Sequence, residues 1–173
     1  MKVVIKIFVL SLTIGLYSIC WARTALCTIQ TYDGHYVTAV GGGGRITDVL
    51  HTNRTRAGSW ELFTLIPLEG ETHWGIKTSK GYFLTAVGGG GRITDVIHSD
   101  ATQWLDWEKF KIIQIQQGVS SYAIKTISGN YLTAVGGGGR TTDVFHTDAT
   151  RVGTWETFWI KCRLTDSEAR EPE

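Results

Sequence analysis

The chain has 173 residues, 42% hydrophobic and 19% charged, with a formal net charge of +1. Such a composition belongs to one globular domain and excludes a disordered chain, a collagen-like chain and a protein drawn to nucleic acid by net charge. Gly, Thr, Val and aromatic residues, seven Trp among them, stand where helical proteins carry Ala, Leu, Glu and Lys, so strands are predicted.

Residues 1–22 read as a secretory leader. Lys2 and Lys6 supply the positive start, residues 7–17 are almost wholly apolar, and Cys20 and Ala22 give the small-residue cleavage pattern. The apolar run is too short to span a bilayer, and no membrane span is predicted. Removing the leader leaves a single domain over 23–173 with 15 basic and 16 acidic residues, destined for the extracellular space. It also leaves Cys27 and Cys162, one near each end. An even pair in an exported chain predicts a disulfide; two reduced buried thiols are the alternative.

From here the chain repeats itself. The octet Thr-Ala-Val-Gly-Gly-Gly-Gly-Arg occupies 38–45, 85–92 and 133–140, at steps of 47 and 48 residues. Each octet leads to a Thr-Asp-Val triplet and then to His51, His98 or His146. Each unit closes on Trp-Glu-x-Phe, from Trp60, Trp107 and Trp155. The units run over about 28–70, 71–117 and 118–164, and a short charged tail follows.

Within the second unit, 74–78 alternates apolar and polar residues, Lys80-Gly81 turns, 82–87 is aromatic and branched, 96–98 is a short strand, 99–102 is turn chemistry and 107–115 is a fourth strand, with Phe110, Ile112 and Ile115 facing inward. Four strands in each of three units predict twelve. First and last units as regular as the middle one predict a closed three-fold object, since an open solenoid needs atypical ends.

The strand at 81–86, the glycine-rich hairpin at 88–91 and the closing Trp-Glu-x-Phe at 107–110, with their counterparts, resemble the fascin-type β-trefoil unit over nearly the whole mature chain. The resemblance implies an all-β, twelve-strand β-trefoil. It also implies relatives that bundle actin, bind glycans, signal as growth factors or inhibit proteases. The Gln-x-Trp signature of ricin-type lectin units is not repeated here.

Trp60, Trp107 and Trp155, with Phe63, Phe110 and Phe158, are expected in the core, as are Leu84, Ala86, Val87 and their mates. Glu61, Glu108 and Glu156 are expected to satisfy a backbone amide or pair with an Arg. The glycine tetrads hold 12 of the 21 glycines. Either they pack too closely for side chains or they open the backbone to a ligand; no Lys-Ser or Lys-Thr follows, so they are not phosphate loops.

Three charged sets follow the tetrads: Arg45, Asp48 and His51; Arg92, Asp95 and His98; Arg140, Asp143 and His146. They are either local pairs that brace the hairpin or three polar ligand sites. Asp accepts from sugar hydroxyls, Arg and His donate, and Tyr36, Tyr82 or Trp104 offers a stacking face. Convergence of the histidines on a Zn²⁺ is a further alternative, but no cofactor or metal is the expectation. Nor is an enzyme, because every candidate group occurs three times and no hydrolase or protease motif is present. The leading reading is a secreted, multivalent, lectin-like protein that binds glycans or glycoconjugates. A fascin-like module for actin or another protein, or an exported effector, is the alternative. Asn53 opens a glycosylation sequon, Asn-Arg-Thr, on a predicted turn.

Overall fold

Every second residue of β1 (Ala25–Thr31) is buried, the period of a strand with one face inward. β2 (Tyr36–Ala39), β3 (Leu50–Arg54) and β4 (Leu62–Pro67) complete the first unit. The second holds β5 (Trp74–Lys77), β6 (Phe83–Ala86), β7 (Ile97–Ala101) and β8 (Lys111–Gln114). The third holds β9 (Ser121–Lys125), β10 (Tyr131–Ala134), β11 (Phe145–Ala149) and β12 (Phe158–Leu164). The computed structural model describes residues 24–68 and 72–164, so the leader and the charged end of the tail lie outside the described residues.

Six strands close a barrel. β1 pairs with β4, β4 with β5, β8 with β9, β9 with β12 and β12 with β1, all antiparallel. A bridge between Trp74 and Phe110 joins β5 to the start of β8. The hairpins β2–β3, β6–β7 and β10–β11 cap one end, each with a shift of register. This is an all-β, twelve-strand β-trefoil. Cys27 lies opposite Cys162 across β1 and β12, and the two form the disulfide, so the bond fastens the first strand to the last.

Phe63, Phe110 and Phe158 fill the barrel at 0%, 1% and 0% exposure. Leu84 and Ala86 are buried with their mates, whereas Val87 is only half-buried. The three tryptophans depart from expectation: Trp60, Trp107 and Trp155 are 42%, 49% and 48% exposed. Residues three apart on a strand face opposite sides, so Trp and Phe of one Trp-Glu-x-Phe cannot both point inward. The chain commits Phe to the barrel and winds the Trp into a tight turn, seen as Ser59–Glu61 and Asp106–Glu108 in the first two units. The fourth strand of the second unit therefore begins at Lys111 rather than at 107, and Ile115, past its end, is exposed.

The glutamates, Glu61 and Glu108 buried and Glu156 half-buried, hold that turn. Glu61 accepts from Thr38 Oγ1 at 2.7 Å and from the Gly58 amide at 2.6 Å. Glu108 does the same with Thr85 and Leu105, and Glu156 with Thr133 and Gly153. Each ties a capping hairpin to the barrel.

Unit joins unit through the glycine tetrads. Gly44 N–H donates to the Ser99 carbonyl at 2.6 Å and Ser99 N–H to the Arg45 carbonyl at 2.8 Å. The same exchange links Gly91 and Arg92 to Thr147, and Gly139 and Arg140 back to Thr52. The ring thus runs from first unit to second to third to first. Because Ser99 is held this way, residues 99–101 prolong β7 instead of turning. Asn53 likewise lies exposed on β3, not on a turn.

Candidate functional site

Seam geometry explains the third glycine of each tetrad. The third glycine of each, Gly43, Gly90 and Gly138, has φ between 103° and 117° and ψ between −160° and −172°, a region that only glycine populates. A Cβ there would collide with the side chain of Thr78, Thr126 or Thr31 of the next unit. The second glycine's carbonyl accepts from the same neighbouring hairpin, as Gly42 does from Lys80 N–H at 3.2 Å. Close packing is thus realised at the third glycine of each tetrad, whereas the first, Gly41, Gly88 or Gly136, meets nothing closer than 3.8 Å.

The chain then leaves the seam into an exposed loop. Asp48, Asp95 and Asp143 have φ of 50°, 49° and 48°, the left-handed region that Asp enters more readily than branched residues. Arg45 Nε donates to the carbonyls of Thr47 and Asp48 at 3.2 and 3.1 Å, and its Nη2 reaches Asp48 Oδ2 at 3.3 Å. His51 Nε2 donates to Asp48 Oδ1 at 2.6 Å. Arg92, Asp95 and His98 repeat this, and so do Arg140, Asp143 and His146, with the His–Asp bond at 2.7 and 2.8 Å. The surroundings match as well: the Asp side chains are 50%, 53% and 50% exposed.

So each set braces its own loop, and each histidine is engaged with its own aspartate. Among the described residues no group of three His, Cys, Asp or Glu could hold a metal ion. One bond on each carboxylate oxygen uses about two of its four acceptor positions; with half of the side chain exposed, a ligand reaches the rest. Arg and Asp cancel in charge within each set.

Residues 46–50, 93–97 and 141–145 line one bowl of about 660 Å³, to which all three aspartates contribute and the arginines and histidines do not. The aromatic residues expected to offer a stacking face stand elsewhere. Tyr82 covers Gly44 in the seam between the first two units, Trp104 stacks on Phe83 with ring centres 5.9 Å apart, and Tyr36 is half-buried on β2. Sequence reasoning missed Ile46 and Ile93, 56% and 55% exposed at the bowl. Their signal was an apolar residue standing alone between Arg and Thr in a polar loop.

A family model described as a domain of unknown function, DUF7910, matches residues 26–161, and the chain belongs to that family. No curated protein matches it in sequence. Among solved structures it is similar to the BEL β-trefoil, at a TM-score of 0.65 and 15% identity over 82% of this chain and 95% of that one. It is also similar to SeviL bound to asialo-GM1 saccharide, at 0.60 and 11% over 80% and 98%, and to a mosquitocidal holotoxin, at 0.65 and 14% over 80% of this chain. This chain spans 16% of the holotoxin's length. At these identities the likeness is one of fold.

Proposed function

We propose that this DUF7910 chain is a secreted, non-catalytic carbohydrate-binding protein, in which the Arg–Asp–His sets meet sugar hydroxyls at up to three equivalent positions. One observation carries the reading: the same half-exposed carboxylate, held by the same Arg and His, is displayed three times in matching geometry. The left-handed backbone of the loop favours Asp, but the barrel core does not require the sets, and an exposed ion pair is worth only about 0.2–1 kcal/mol. A saccharide-bound neighbour of the same fold supports the ligand class, and the disulfide together with the leader-like start supports export. No helix among the described residues is long and apolar enough to cross a membrane.

The test is a glycan array and haemagglutination with the disulfide-bonded mature chain beside the variant Asp48→Ala/Asp95→Ala/Asp143→Ala. Binding by the parent that disappears in the variant is the expected result. A parent blank on every glycan ends the reading. Motif likeness to fascin-type units keeps actin as the competing partner, and sedimentation with filamentous actin separates the two.

A further inference from the structure

The bowl lies where the corresponding loops of the three units meet, so it is centred on the pseudo-three-fold relation between them. Its floor is apolar: Leu50, Ile97 and Phe145, buried at 6%, 8% and 6%, line both the bowl and a cavity of about 20 Å³ inside the barrel. Polar groups surround that floor, the aspartates among them. A volume of about 660 Å³ falls within the ~300–1,000 Å³ of small-ligand pockets.

Two properties select the occupant. Each carboxylate is already neutralised by the Arg of its own set, so the bowl favours hydrogen-bond donors over bare cations. An apolar floor inside a ring of acceptors needs a ligand with one C–H face and hydroxyls around its edge, which describes a pyranose. The lining breaks symmetry at two positions: the floor carries Leu50, Ile97 and Phe145 in the three units, and at the rim Thr141 stands where Ile46 and Ile93 stand in the other units.

Resting on the carbohydrate reading, we infer that the three sets serve one site: a single neutral saccharide per chain seats its terminal ring on the floor, donates hydroxyl hydrogen bonds to all three aspartates and leaves over Thr141. Valence is what this changes. Three independent sites would bind three ligands; a shared bowl binds one.

Calorimetry and amide NMR titration of the disulfide-bonded mature chain read the difference, with lactose, cellobiose, mannotriose and the asialo-GM1 saccharide as probes. The expected result is one equivalent bound, with the amides of Thr47, Thr94 and Thr142 shifting together. Asp95→Asn alone then weakens all binding about tenfold, the loss of one hydrogen bond to a shared ligand. With independent sites the same variant would lower the stoichiometry from three to two and leave the remaining affinity unchanged. Filling the bowl by Thr94→Trp, with the fold checked by circular dichroism and melting, abolishes binding. Three equivalents, or binding that survives the filled bowl, overturns the shared site and leaves the carbohydrate reading standing. No heat and no shift with any probe, together with a blank array, overturns both.

Discussion

The glycine tetrads and the Arg–Asp loops that follow them are equally faithful copies of one another, yet they are faithful for different reasons. Gly43, Gly90 and Gly138 occupy a backbone region closed to other residues and press on a threonine of the next unit. Assembly of the ring dictates them one by one. Asp48, Asp95 and Asp143 stand half in water, bonded only to groups of their own loop. Folding would tolerate there another residue that enters the left-handed region, such as Asn. Repetition alone therefore does not separate residues that the seam requires from residues proposed for recognition; burial and contact with the next unit do.

Substitutions sharpen that contrast. Gly90→Ala should cost about 3–5 kcal/mol, from a forbidden backbone region and an overlap with Thr126, read as a large fall in the denaturant midpoint. A drop below about 1 kcal/mol would mean that the seam is slack. Glu108→Ala should cost about 2–3 kcal/mol, because Thr85 Oγ1 and the Leu105 amide both lose their partner; thermal melting of Glu108→Gln beside it tells bond from charge. For Gly88→Ala, in the same tetrad but with φ of 68° and nothing nearer than the Arg92 side chain at 3.8 Å, about 1 kcal/mol is expected. Equal losses at Gly88 and Gly90 would break the distinction within the tetrad. Smallest of all, Asp95→Asn should change stability by no more than about 0.5 kcal/mol while weakening saccharide binding in the same preparation. A cost as large as that of Gly90→Ala would return the aspartates to the fold and remove them from recognition.

Much of the fold is legible in the sequence because repetition multiplies weak signals. One Trp-Glu-x-Phe is a poor indicator of a strand; three at nearly constant spacing mark a closed three-unit object, and the Cys pair marks where it fastens. The inward Phe and the bonding Glu are legible too. Trp107 is not, because size and apolarity say nothing of direction: the tight turn that brings Glu108 inward sends the neighbouring indole outward. Nor is Ser99, whose partner, Arg45, lies 54 residues away in another unit; turn chemistry is a local signal that a distant strand overrides.

The amino-acid sequence by itself determined the number of units, their strand content, the residues that recur and the cysteines that close the ring, since each follows from local pattern or from self-comparison. Only the tertiary structure decided that the third glycine of each tetrad is a packing contact, that the tryptophans face water, and that three separated aspartates share one bowl. Those facts depend on how one unit is rotated against the next, and that rotation is set by contacts between residues far apart in the chain.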